Sequence, residues 1–559
     1  MKKVVFIALF AGCFAVANAQ GILGGKVTGN IQIDAQISKE DKDIGAPDVP
    51  EKLLSNMYGN IQYTNGGFTA GMRLESYQNP ILGFDAKYKG TGIPFRFASY
   101  KGDMFEVTVG NFYEQFGNGL VFRSYQEPNM GLDNAMDGLN VKFDPIKGVY
   151  LKAFVGKQRY YWGYGSGVVR GIDGEVSIND LVKSFESSKT RVVVGGSFVS
   201  KYEDDELITT NIGGDKYQLK LPLNVGAWAA RFNVSHGRFA LQGEYAQKGQ
   251  DPNAVNNFIY KKGEALFLSG SYSQKGLGVN IQAKRIDNMS FKSARSLTGE
   301  MLNINYLPAL TKQHTYSLLA MYPYATQVSG EMGIQADVTY TIKKNTPLGG
   351  KYGMDIKLNY SRSHSIDKEK INEETEIGQM GTDGYKSDFF KIGDDLYYED
   401  FNIEIGKRLT KNLKASLTYG YITFNPATEG HGEGGDLHYN NIVVGDVTYK
   451  INPKNVVRVE AEWLKSNVEP TDEDKRSGDW IMLLGEYNFA SRYFVSLSDQ
   501  YNYRGSKEHY YGISFGYNYG ASRIQLTYGK QREGIICIGG VCRQVPASNG
   551  LMLSLTTSF

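Results

Sequence analysis

The residues best equipped for chemistry in this chain are scattered rather than gathered into a motif. Of six histidines, only His431 and His438 lie close together, in EGHGEGGDLHY with Glu429, Glu433 and Asp436. These side chains have metal-ligand chemistry, but no helical i, i+4 pair and no cysteine partner fixes a geometry around them. The segment therefore reads as a polar loop, and no metal site is assigned. Asp394-Asp395 and Glu399-Asp400 fall in an acidic stretch beginning near Asp367, which lacks the ligand order of an EF-hand. The sequence contains no nucleophile elbow, phosphate-cradling glycine loop or paired-carboxylate motif. The expectation is a protein without a cofactor that is not an enzyme. A hydrolase with a rim site built from distant residues is the least favoured reading.

What recurs instead is alternation. Leu413, Ala415, Leu417, Tyr419 and Tyr421 alternate with Lys414, Ser416, Thr418 and Gly420, and Val457, Val459, Ala461 and Trp463 alternate with Arg458, Glu460 and Glu462. Period two over roughly 9–11 residues suits a tilted strand crossing an outer membrane. With the apolar faces outward, the inward positions include Arg73, Glu75, Asp85, Lys87, Arg96, Glu106, Arg123, Lys142 and Lys152. Later strands add Glu404, Lys414, Asp446, Arg458, Glu460, Glu462 and Glu486. In a wide barrel such mixed charges line water and set a field for a polar solute.

The stretch Asn111 to Asp137 breaks the alternation and holds Gly117 and Gly119. Glycine permits the bends by which a segment turns inward. It is expected to narrow the lumen and present Arg123, Glu127 and Asp133 to a solute or a partner. The alternative is a bulged pair of strands whose polar groups satisfy one another.

The elements that position these residues are strands joined by connections of two kinds. Short turns are expected at Asn65-Gly66-Gly67, Pro145 to Gly148, His236-Gly237, Gln274 to Gly276, Thr410 to Asn412, Asn452 to Asn455 and Gly520 to Ser522. Long polar loops are expected at about 38–51, 203–223, 250–263, 364–391, 425–438 and 467–478. This is the alternation of an outer-membrane barrel, with periplasmic turns and extracellular loops. The predicted fold is all-β: a large single-chain transmembrane antiparallel β-barrel of about 24–28 strands with both termini periplasmic. Outside the N-terminus no apolar run exceeds five residues, far short of the roughly 20 of a spanning helix.

Lys2 and Lys3, the apolar Val4 to Ala17 and the small residues Ala17-Asn18-Ala19 describe a secretory signal peptide over 1–19, leaving 20–559 as barrel and placing the chain in the outer membrane of a Gram-negative cell. Cys13 is removed with it, unless Cys13 marks lipoprotein cleavage. The strand-like GILGGKVTGNIQIDAQIS follows at once, so no N-terminal globular plug is expected, and with it no energy-coupled receptor. Lys plus Arg is 61 and Asp plus Glu is 59; loss of Lys2 and Lys3 makes the mature chain neutral, which argues against nucleic acid as a partner. Cys537 and Cys542, in GIICIGGVCRQ, are expected to form a disulfide in an oxidising compartment, with two free thiols as the alternative. Leu551, Leu553, Leu555, Thr557 and the terminal Phe559 share one face, like the signal that barrel-assembly machinery reads.

The segments GNFYEQFGNGLVFRSYQEPNMGLDNAMDG (Gly110 to Gly138), GVVRGIDGEVSIND (Gly167 to Asp180) and YGKQREGIICIGGVCRQVPASNG near the C-terminus resemble an outer-membrane β-barrel family of Bacteroidetes whose function is not assigned. The resemblance implies an outer-membrane location and no particular activity. On the residues, the leading expectation is a porin-like channel for small polar solutes, in contact with outer-membrane lipid. Second is a non-enzymatic barrel subunit of an envelope export, assembly or surface-lipoprotein complex, acting through a protein partner.

Overall fold

The computed structural model describes residues 24–559, apart from 213, 431, 433, 471–475 and 539–540. The expected signal peptide, Cys13, and the loop residues His431 and Glu433 lie outside the described residues. A single antiparallel sheet of 24 strands runs from Lys26–Lys39 to Ser548–Ser558. Each strand pairs with the next one of the sheet, and the last returns to the first, from Asn30 opposite Ser558 to Lys39 opposite Asn549. The sheet is thereby a closed barrel without a free edge. Its strand number falls at the lower end of the expected range.

Alternation along the strands sorts the side chains onto two faces. Ile172, Leu417, Leu483 and Leu497 stand outward and between 56% and 60% exposed. Tyr487, Phe489, Tyr493 and Tyr517 stack in series on this outer wall beside the turns at 490–492 and 520–521, with ring centroids 4.9–5.4 Å apart. Side-chain proximity across adjacent strands lets these rings form a girdle rather than isolated contacts.

Short connections at 66–67, 147–148, 237–238, 275–276, 453–454 and 520–521 gather at one end, where the first strand also starts and the last one stops. The long loops gather at the other end, but the alternation is not strict: that end also has the short links 161–162 and 503–508, and the short-turn end carries the longer connections 178–189 and 343–353. Two of the long connections turn inward. Phe112 is already paired with Met136 and Asp287 with Gly330, so segments 113–135 and 288–329 leave and re-enter the wall at adjacent points. Both fold into the barrel.

The core sits where these in-folds meet the wall. Phe116, Leu120, Val121 and Phe122 of the first, with Phe291, Ile304, Leu307 and Leu310 of the second, bury against inward Phe154, Val169, Val199, Phe267 and Ile286. On the opposite part of the ring, Leu318, Leu319, Met321 and Tyr322 pack on Ile422, Phe424, Val444, Leu464 and Trp480. The inner wall thus carries apolar patches on which the in-folds pack. Among the described residues no helix is long and apolar enough to cross a membrane.

Candidate functional site in the lumen

Inward charges of the wall hold the in-folds in place. Arg73 and Glu75 of strand Phe68–Tyr77 and Arg159 of strand Val149–Tyr160 meet Asp133 of the first in-fold. Arg159 donates from Nη1 to Asp133 Oδ2 at 2.6 Å and from Nη2 to Glu75 Oε2 at 2.6 Å. Arg73 donates from Nε to Glu75 Oε1 at 2.6 Å and also contacts Asp133. Tyr113 donates to Asp133 Oδ1 at 3.0 Å, and Gln126 Oε1 accepts from Arg73 at 2.7 Å. All four charged side chains are at most 6% exposed. Two cations and two anions thus neutralise one another in a buried cluster whose hydrogen-bonding groups are occupied, the condition under which buried charge is tolerated.

The same device recurs around the ring. Glu244 accepts from the backbone N and the side-chain amide of Asn118 at 2.6 and 2.8 Å. Gly117, at φ +51°, makes this approach possible, since a Cβ there would lie 2.4 Å from Glu244 Oε2. Glu462 accepts from the backbone N–H groups of Ser317 and Leu318 at 3.0 and 2.9 Å. Glu331 accepts from Gln327 N and from the Tyr324 hydroxyl, both at 2.7 Å, and Lys284 Nζ donates to Pro308 O at 2.7 Å. His314 and Asp400 lie 2.7 Å apart. Backbone N–H and C=O groups of an irregular segment must find partners once buried; here the wall's ionic side chains supply them.

The expected lumen residues take different places. Arg73, Glu75 and Asp133 belong to the buried cluster. Lys142 and Lys152 reach Glu114 of the first in-fold at 3.0 and 2.9 Å, and burial of the Glu114 carboxyl is outweighed by these two ammonium groups, which hold it below its ordinary range. Glu106 lies in register with Lys142. Arg458 joins Asp446 at 2.7 Å and also contacts Glu460. Glu127 pairs with Leu132 in the short ribbon of the first in-fold.

Three expectations of inward charge are corrected. Arg96 is paired with outward-facing Met72 and stands on the outer wall, 60% exposed and 3.9 Å from Asp137. Its neighbour Phe95 turns inward to stack on Tyr113, with centroids 5.2 Å apart, because the in-fold offers an apolar partner there. Asp85 and Lys87 are not on a strand but at the short 3-10 helix Ala86–Tyr88, where Asp85 accepts from Lys87 N at 2.9 Å.

Segment 288–329 is the inward-folded element that pattern reading missed. Its apolar run Leu318 to Tyr322 is among the longest outside the N-terminus and was the available signal. Between the in-folds and the long loops lies a cavity of about 330 Å³, lined by Tyr125, Lys292, Glu300, Asn303 and Tyr306 together with Ala254, Val255 and Gly430 of the loops. Lys292 donates to Met301 O at 2.9 Å and to Asn303 Oδ1 at 2.6 Å, and burial pushes its ammonium down to about 8. Cys537 and Cys542 form a disulfide across the ribbon Gly534–Ile538 with Val541–Val545. Among the described residues no group of three or more His, Cys, Asp or Glu could hold a metal ion.

A closed 24-strand barrel with wall-anchored in-folds is the class these observations define. A family model described as a family of unknown function, DUF6029, matches residues 1–559, and the chain belongs to that family. No curated protein matches it in sequence. Among solved structures it is similar to the siderophore receptor PirA from Pseudomonas aeruginosa, at 9% identity over 95% of this chain and 80% of that one with a TM-score of 0.43. It is similar also to the translocation pore of the P pilus usher PapC, at 10% identity over 95% and 99% with a TM-score of 0.39, and to Acinetobacter baumannii OccAB4, at 11% over 85% and 98% with a TM-score of 0.31.

Proposed function

We propose that this chain is an outer-membrane channel for small polar solutes, narrowed and made selective by its two in-folds. The observation that carries this reading is the contrast between the faces of the closed barrel. The outer wall presents a broad, largely apolar surface that water would not tolerate at this size and lipid would, whereas the charges of the wall gather in the interior, where they anchor the in-folds. In this reading the short-turn end and both termini face the periplasm, residues 1–19 direct export and are removed near Ala19, and Phe559 is the assembly signal. Phe559 exchanges backbone hydrogen bonds with Gly29 at 2.9 and 3.0 Å, so the signal would lie at the closing seam.

The depth of the apolar packing in the lumen favours one other reading, a barrel that acts through an envelope partner at its loop end. Affinity purification from native membranes, followed by single-channel recording of the purified barrel, separates the two. Discrete conductance steps without a stoichiometric partner are expected. Co-purifying proteins and no conductance would favour the partner reading.

A further inference from the structure

Arg123 is an expected lumen residue that takes no part in the ionic anchoring of the in-folds. Its backbone N–H donates to Ile304 O at 2.9 Å, and Tyr306 N donates to Gly119 O at 2.9 Å, so it sits on the seam between the two in-folds. Its guanidinium lies between two rings, 4.3 Å from the centroid of Tyr125 and 4.1 Å from that of Tyr306. Gly119, at φ +94°, leaves the room: a Cβ there would stand 3.2 Å from Tyr306 Cβ and 3.4 Å from Arg123 Cβ. Among the described residues the guanidinium makes no hydrogen bond or ion pair, although every other arginine of the buried lumen clusters is committed to a carboxylate. It is only partly buried.

Both flanking tyrosines line the 330 Å³ cavity that opens among the long loops. Among the described residues that line it, Glu300 is the carboxylate and accepts from Asn303 at 2.9 Å, and Lys292 is the ammonium; the guanidinium of Arg123 is stacked against the two lining tyrosines. Stacking fixes the plane of a guanidinium and leaves its edge, with its N–H donors, free for a planar bidentate acceptor. We propose that Arg123, clamped by Tyr125 and Tyr306, is a binding site for the carboxylate or phosphate group of a small anionic solute entering from the loop end. The binding site stands on its own geometry; its service to permeation rests on the channel reading above.

Isothermal titration of the full-length barrel in detergent with succinate, inorganic phosphate and glucose tests this, alongside bilayer recordings of the same preparations. Binding of either anion, absence of glucose binding, and a loss of at least about tenfold in anion affinity for Arg123→Gln are expected. Arg123→Lys should keep part of the affinity, as a point charge without the fork. Binding of phosphate but not succinate, or the reverse, identifies the acid recognised. Anion binding that is the same in Arg123→Gln, or no anion binding by the folded wild-type protein, would overturn the site. Arg123-dependent binding without conductance leaves the site standing and removes the channel; conductance with unchanged anion preference in Arg123→Gln keeps the channel and removes the site's part in permeation.

Discussion

Arg159 serves two carboxylates at once, and removing it would leave Glu75 and Asp133 sharing only Arg73 in a site closed to water. Arg159→Ala is expected to lower the opening free energy of segment 113–135 by about 3–5 kcal/mol, read as faster amide hydrogen exchange there with the strands unaffected. Glu114 gives the pH counterpart. Its carboxyl is held below the ordinary value of 4.5 by Lys152 and Lys142 in spite of burial, so the charged form is the one the fold favours. That stabilisation is present above pH 4.5 and is lost as pH falls through the depressed value. Limited proteolysis of 113–135 should therefore accelerate on acidification below pH 4.5, and Glu114→Gln should show the fast rate already at neutral pH. At this scale the sequence was readable where charge meets charge. Arg73 and Glu75 were placed inward by their period, but Asp133, expected to face a solute, is buried between Arg73 and Arg159, and Arg96 was misplaced, since Phe95 turns inward once the lumen holds an aromatic partner.

Among elements, the strands were legible because most of them alternate and end in turn residues, and the irregular stretch 111–137 was legible because glycine and polar residues interrupt that pattern. Segment 288–329 was not: alternation has nothing to say about a connection, and its partners Glu331, Glu462 and Asp400 stand on strands far apart in sequence. Only closure of the ring brings them to one interior. Docking of the first in-fold depends on Gly117. A Gly117→Val side chain would collide with Glu244 and suffer a left-handed backbone, and is expected to release 113–135 while leaving the heat-modifiable migration of the barrel in gels unchanged. The disulfide ribbon is held from outside itself as well, with the Arg543 guanidinium 4.3 Å from the Phe84 ring centroid. A bridge closing so short a loop contributes about 2 kcal/mol in the chain-entropy account. The Cys537→Ser, Cys542→Ser double variant should therefore raise exchange in 534–545 alone, with the barrel's thermal transition in place.

For the whole molecule, the in-folds and the wall are separable by design of the pairing, because Asp287 and Gly330 are already partners. Replacing 288–329 by a short Gly-Ser turn should leave a closed barrel with its protease-resistant strands and, in the channel reading, a several-fold larger single-channel conductance. An unchanged conductance would show that this segment does not limit passage. The pairing also has a consequence for the order of folding. All contacts between wall strands but one are local, each strand meeting its predecessor as a hairpin or an excursion that returns to its own starting point. The exception is the seam of Lys26–Lys39 with Ser548–Ser558, which joins the two ends of the chain. Local pairings form fast and distant ones slowly, so the seam is the step that waits for all the others, and until it is made the barrel has two open edges ready to pair with any other strand. Protection of those edges during assembly is the requirement that this topology places on the cell.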